Sequence, residues 1–266
     1  MAGVLAAERQ NKLLGEVQRR GAVRVAEFAE LLGVSEMTVR RDLDALSRRG
    51  LVEKVHGGAV RTAPSTDEPG FEAKSGRQLA EKRAIAAAAA EFVTPGMAIG
   101  VSAGTTTWAL AQCLRTVDEL TVVTNSMAIA AVFHARNNPS QSIVLTGGVR
   151  TPSDALVGPI AVSALTQLHL DIVFMGVHGM SEDAGFTTPN LLEAETDKAF
   201  ADAGRTLVIV ADHTKWGTIG IRTIAQLHEA DVLVTDDGLS NAAASVLRTH
   251  VADVRTVSVE RTETGS

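Results

Sequence analysis

Six consecutive residues, Ser102-Ala103-Gly104-Thr105-Thr106-Thr107, stand between an apolar run and a helical pattern. That residue set can hold a phosphate. Gly104 lets the chain turn, the first N–H groups of the following helix have no intrahelical acceptor, and the threonine hydroxyls add donors. No lysine of the P-loop kind follows, so triphosphate hydrolysis is not expected. A threonine-capped turn without a ligand needs the same residues, so the stretch alone leaves both readings open. Four more apolar runs end in small or polar groups: Thr124-Asn125-Ser126, Gly147-Gly148, Gly176-Val177-His178-Gly179 and Asp212-His213-Thr214-Lys215. Lys215 supplies a cation suited to a phosphate. Glu193, Glu195 and Asp197 are the carboxylates available as bases, and on a helix they read as solvated or salt-bridged. One cysteine, Cys113, gives neither an intramolecular disulfide nor a metal-ligand cluster. No catalytic residue, metal or cofactor is expected.

A second set of residues suits a different chemistry. From Val34 to Gly50 the sequence reads as a helix capped by Ser35, with Glu36 in its first turn. Val39, Leu43 and Leu46 share one face. Met37, Arg41 and Arg48 point away from it, with Thr38 and Arg40 on the flanks, and Gly50 serves as the C′ residue. Guanidinium groups suit phosphates and guanine edges. A solvated amphipathic helix would look the same in isolation, but its neighbours decide. Residues 9–20 carry Leu13, Leu14 and Val17 on one face. Val25, Phe28, Ala29 and Leu32 repeat at helical spacing, and Gly33-Val34 makes a tight turn between helices. Two short helices joined through such a turn are a helix-turn-helix signature. Leu51 to Val60 then alternates around Gly57-Gly58 as a β-hairpin, a wing whose Lys54, His56 and Arg61 could touch phosphates.

Charge and element order agree with this division. The net charge is −6, yet residues 1–62 carry eleven Lys/Arg against eight Asp/Glu, while the remainder carries fourteen against twenty-three. A basic head on an acidic body suits a duplex-binding module. Residues 63–76, rich in Pro, Ser, Thr, Gly and acids, read as a linker, and a helix runs from Arg77 to about Phe92. Strand and helix patterns then alternate to about residue 260, which predicts a mostly parallel α/β sheet covered on both faces. Ligands in such sheets bind where strands end and loops begin. The uncharged stretch from Phe92 to Leu114 is broken by Pro95, Gly96, Gly100 and Gly104, so no membrane span and a cytoplasmic location are expected.

The ordered motifs of the head, Val34-Ser35-x-x-Thr38-Val39-Arg40-Arg41-Asp42-Leu43, Gly50 and His56-Gly57-Gly58-Ala59, resemble those of DeoR-family transcriptional regulators. The resemblance extends through Gly104-Thr105-Thr106-Thr107, Thr124-Asn125-Ser126, Gly147-Gly148, Phe174-Met175-Gly176-x-x-Gly179, Gly185-Phe186-Thr187 and Asp212-x-x-Lys215. It implies a winged helix-turn-helix over residues 1–62 that binds double-stranded operator DNA, usually as a repressor. It also implies a sensor domain over residues 77–260, similar in fold to sugar-phosphate isomerases, with a phosphorylated sugar or sugar derivative as effector and a homodimer or homotetramer as the assembly. The expected DNA contacts are Ser35, Met37, Thr38, Arg40, Arg41, Arg48, Lys54 and His56. The expected effector contacts are Ser102, Gly104, Thr105, Thr106, Thr107, Thr124, Asn125, Ser126, Gly147, Gly148, Gly176, His178, Gly179 and Lys215. Relatives often carry Asp where this chain has Ser102 and His178, so the phosphate end of the ligand is the firmer expectation. Losing those carboxylates also weakens the alternative, an isomerase or deaminase fused to a DNA-binding head.

Overall fold

In a computed structural model, which describes residues 6–20, 22–48, 51–55, 57–61 and 70–259, contacts divide the chain into two units, Met1–Pro64 and Ser65–Ser266. The first contains α1 (Ala6–Arg20), β1 (Ala22–Arg24), α2 (Val25–Leu32), α3 (Glu36–Arg48), β2 (Val52–Val55) and β3 (Gly58–Arg61). The expected apolar faces meet in one core: Leu13 and Val17 of α1, Phe28 of α2, and Val39, Leu43 and Leu46 of α3. Gly33 takes the left-handed conformation (φ 63°) that ends α2, and the Ser35 hydroxyl accepts a hydrogen bond from the Thr38 amide at 3.2 Å to start α3. Buried Asp42 accepts from the guanidinium of Arg9 (Nη2 at 3.1 Å) and from the Gln10 amide at 3.2 Å, tying α3 to α1. The Asp42 hydrogen bond raises the Arg9 pKa.

The wing is a three-stranded sheet of order β1-β3-β2 rather than a lone hairpin. Gly57 makes the turn (φ 78°), but Gly58 is small for another reason. A β-carbon there would lie 2.1 Å from the Val23 carbonyl oxygen of β1. The expected cap at Gly50 lies outside the described residues.

The second unit opens with α4 (Phe71–Ser75), inside the stretch expected to be linker, and α5 (Leu79–Ala90). Then come β4 (Ala98–Val101), α6 (Thr105–Leu114), β5 (Thr121–Thr124), α7 (Met127–Arg136), β6 (Ser142–Leu145), β7 (Val149–Arg150), β8 (Leu156–Val157) and α8 (Pro159–Leu165). The chain continues through β9 (Ile172–Gly176), β10 (Gly179–Ser181), β11 (Gly185–Thr188), α9 (Leu191–Ala203), β12 (Leu207–Val210), β13 (Arg222–Ala225), β14 (Val232–Asp236), α10 (Asn241–His250) and β15 (Asp253–Val257). Seven strands form one parallel sheet, in the order β15-β14-β12-β9-β4-β5-β6. One core, containing Ile85, Leu110, Phe133 and Phe174, lies under α5, α6 and α7. The other, containing Leu165, Met175, Phe200 and Leu247, lies under α8, α9 and α10.

The α/β alternation was legible, but β7, β8, β10, β11 and β13 were not. Each has two to four residues, too few to show a period. The antiparallel sheet β10-β11-β13 stands beside the main sheet and carries the Gly185-Phe186-Thr187 motif. Among the described residues no helix is long and apolar enough to cross a membrane.

Candidate ligand cleft and nucleic-acid face

Because all seven strands run one way, the loops after β4, β5, β6, β9 and β12 emerge along one edge. A cleft opens there over β4, β9 and β12. Its floor is Ala103-Gly104-Thr105-Thr106 and Gly176-Val177-His178. Lys215 lies at one wall, and Ser153, Thr188, Pro189, Glu193 and Asp197 form another. Lys74 of α4 also lines it.

Of the expected effector contacts, Gly104, Thr105, Thr106, Gly176, His178 and Lys215 line this cleft. Ser102, Thr107, Thr124, Asn125, Ser126, Gly147, Gly148 and Gly179 lie outside it, and most have polar atoms committed to the frame. The Ser102 hydroxyl accepts from the Gly176 amide at 3.3 Å, joining the ends of β4 and β9. The Thr107 hydroxyl donates to the Gly104 carbonyl at 3.1 Å. The Thr124 hydroxyl donates to the Val101 carbonyl at 2.7 Å and accepts from the Ser126 amide at 3.1 Å. Asn125 holds the loop from behind, accepting from the Ala103 amide at 2.8 Å and donating to the Leu156 carbonyl at 3.2 Å. Ser126 caps α7 by accepting from the Ile129 amide. Gly148 (φ 123°) lies against β8, where a β-carbon would come within 2.5 Å of the Val157 carbonyl oxygen. Gly147 leads into the same hairpin.

Gly104 also works differently from expectation. Its backbone is extended (φ 160°), a conformation open to any residue; what the site requires is room, since a β-carbon would crowd the Thr107 hydroxyl at 2.9 Å.

Lys215 is placed by a pair of half-buried His213 and buried Asp236. On the 3₁₀ turn His213–Lys215, the His213 amide donates to Asp236 Oδ1 at 2.7 Å and its ring Nδ1 lies 2.6 Å from Asp236 Oδ2. Asp212 accepts from the Thr214 amide and hydroxyl. Lys74 was missed because its segment looked like linker. Lys82 fastens that segment, its ammonium donating to the Lys74 carbonyl at 2.7 Å and the Arg77 carbonyl at 2.6 Å. Burial lowers the Lys82 pKa, against the opposing pull of Asp212. The signal was present in the sequence: Lys82 shares the buried face of α5 with Ile85, Ala86 and Ala89.

The α9 carboxylates divide. Glu195 is exposed, whereas Glu193 and Asp197 face the cleft. Asn190 caps the helix, and Glu193, one turn in, accepts from the hydroxyls of Thr151 (2.7 Å), Ser153 and Thr188 (3.2 Å). Burial first, and the charge of Glu193 second, push the Asp197 pKa well above the usual carboxylate range.

In the head, Met37, Arg40 and Arg41 are exposed on α3, and the Ser35 and Thr38 hydroxyls lie 2.9 Å apart at its start. Arg40 also donates to Glu36 at 3.1 Å. Lys54 of the wing is ion-paired with Asp44 of α3, so its ammonium is engaged within the head. The Arg48 side chain and all of His56 lie outside the described residues.

Residues 9–64 match the DeoR-like helix-turn-helix domain, and residues 77–237 match the DeoR C terminal sensor domain. The chain belongs to the DeoR family. Among its relatives are the HTH-type transcriptional regulator GolR of Listeria innocua, 35% identical over 88% of this chain and 92% of that one, and the HTH-type transcriptional regulator GlpR of Haloferax volcanii, 35% identical over 89% and 92%. The HTH-type transcriptional repressor CsqR of Escherichia coli K12 is 33% identical over 86% and 87%. A D-ribose-5-phosphate isomerase in complex with phospho-erythronic acid is a distant structural likeness, with a TM-score of 0.38 and 15% identity over 51% of this chain and 52% of that one. This DeoR-family chain is a DNA-binding transcriptional regulator rather than an enzyme.

Proposed function

We propose that the chain is a cytoplasmic repressor of carbohydrate-metabolism genes, released from its operator by a phosphorylated sugar and working without a cofactor. The observation that carries this reading is the cleft itself. It gathers the Gly104–Thr106 turn at the start of α6, Gly176, Lys74 and Lys215 around one cavity. Free helix N–H groups and cations are what a phosphate dianion requires. In a homodimer or homotetramer, two copies of α3 would enter successive major grooves about 34 Å apart. Arg40 and Arg41 then meet phosphates and bases, with Met37 and Thr38 near the base edges. The effector acts only if it binds the released form more tightly, and a coupling of about 1–3 kcal/mol suffices for a useful switch. Footprinting with and without a panel of phosphorylated sugars tests this. A protected palindrome lost on adding one of them is expected; a footprint indifferent to all of them overturns the reading.

Two further outcomes follow. Arg41→Ala should weaken operator binding by about 1–3 kcal/mol and leave effector affinity unchanged, because the residue is exposed on α3 and supports no core contact. Gel shift and calorimetry on the same preparation read the two affinities, and parallel loss of both would contradict the assignment. Trp108 follows the phosphate turn on α6 and Trp216 follows Lys215. Effector binding should therefore change intrinsic fluorescence. A sugar phosphate that releases DNA with both indoles silent would place the pocket elsewhere.

A further inference from the structure

The DNA-binding head carries an exposed cation outside α3 and outside the wing hairpin. Of the arginines of the head whose side chains the structure describes, Arg9 is held by Asp42 and Arg40 by Glu36. Arg24 and Arg41 are exposed, and among the described residues neither guanidinium has a hydrogen-bond or ion-pair partner. Lys54, the cation expected of the wing, is paired with Asp44.

The position of Arg24 gives that charge a use. Arg24 ends β1 in extended backbone (φ −95°, ψ 138°), next to buried Val23, and side chains alternate along a strand, so Arg24 faces away from the core. Its register partner is Gly58, the first residue of β3 after the wing turn. The next amide, that of Val25, donates to the Gly57 carbonyl at 2.8 Å. The strands pack so closely that a β-carbon on Gly58 would lie 3.3 Å from the Arg24 Cα. Arg24 therefore stands on fixed backbone, where the wing turn meets the start of α2. In a helix-turn-helix the second helix lies in the major groove and the first crosses the phosphate backbone. Here the second is α3 and the first is α2. An outward guanidinium at the head of α2 is placed for phosphates rather than for base edges.

We propose that Arg24 is a phosphate contact of the DNA complex, gripping the backbone beside the groove that α3 enters. Such a contact adds affinity for any duplex and fixes the register of the head, while carrying no sequence information itself.

Anisotropy titrations of the full chain against two labelled duplexes test this, at salt from about 50 to about 200 mM. One duplex is selected from a random pool by the wild-type chain, and the other is an unselected duplex of the same length. Arg24→Gln should weaken both by the same factor, about fivefold or more, and lower the slope of log affinity against log salt by about 0.9. Arg24→Lys keeps the charge and should keep the slope. Arg83→Gln removes one exposed charge from α5 of the second unit and should leave both affinities unchanged. Helix content by circular dichroism should match the wild type throughout, since Arg24 lies outside the core cluster of the head. An unchanged slope in Arg24→Gln, or a lowered one in Arg24→Lys, overturns the contact. An equal loss in Arg83→Gln does so too, by making the effect one of net charge. A loss confined to the selected duplex also overturns it, because Arg24 would then be reading bases.

Discussion

Leu46→Ala is expected to unfold the DNA-binding head and leave the sensor unit standing. Leu46 is 1% exposed on α3, in one cluster with Leu13, Val17, Phe28 and Leu43. Truncating a buried leucine to alanine costs about 2–5 kcal/mol, from lost transfer energy and the cavity left behind. A unit of about 60 residues buries too small a fraction of its surface to absorb such a loss. Both tryptophans belong to the second unit, so fluorescence reports that unit alone. Operator binding should fall beyond measurement, and far-UV circular dichroism should lose helix. The fluorescence melt and the response to effector should stay where they are. A fluorescence transition displaced together with the loss of DNA binding would mean that the two units fold as one.

Gly179→Ala is expected to disable the effector site although Gly179 lines no part of the cleft. A β-carbon at this residue would lie 2.0 Å from the Thr218 carbonyl oxygen and 2.5 Å from its carbon, both backbone atoms that cannot swing aside. The neighbouring contact is tight: the Gly217 amide donates to the Met180 carbonyl at 2.8 Å. Overpacking of this kind costs about 1–3 kcal/mol. The strain falls on the segment whose Thr218 amide is bonded to the Lys215 carbonyl at 3.3 Å, so the ammonium is displaced with it. Effector affinity should drop more than tenfold, with operator affinity retained. A variant that binds effector normally would show that the Trp216–Thr218 segment can shift without moving Lys215.

Glycines show why motifs and roles separated in this chain. Gly148 and Gly179 were marked as ligand contacts because each follows an apolar run. Their small size is demanded by backbone passing close by, Val157 in one case and Thr218 in the other. Asn125 and Ser102 were marked as polar groups at strand ends, and they are, but their hydrogen bonds build the back of the phosphate turn. Asp197 passed as a solvated helix carboxylate because nothing local distinguishes it from Glu195. Only the packing of α9 beside β4 and β9 turns one toward the cleft and leaves the other in water.

The sequence alone determined what depends on near neighbours along the chain. The helical periods of the head, the Ser35 cap, the Gly33 turn and the strand–helix alternation of the sensor follow from side-chain spacing, because secondary structure is set by contacts a few residues apart. The charge division between head and body is likewise a matter of counting. Tertiary structure decided which three of five strand ends share a cavity, that α4 brings Lys74 to it, and that Glu193 and Asp197 of α9 line the same cavity as Lys215. Those relations depend on strand order in the sheet, and no local period encodes which strand lies beside which.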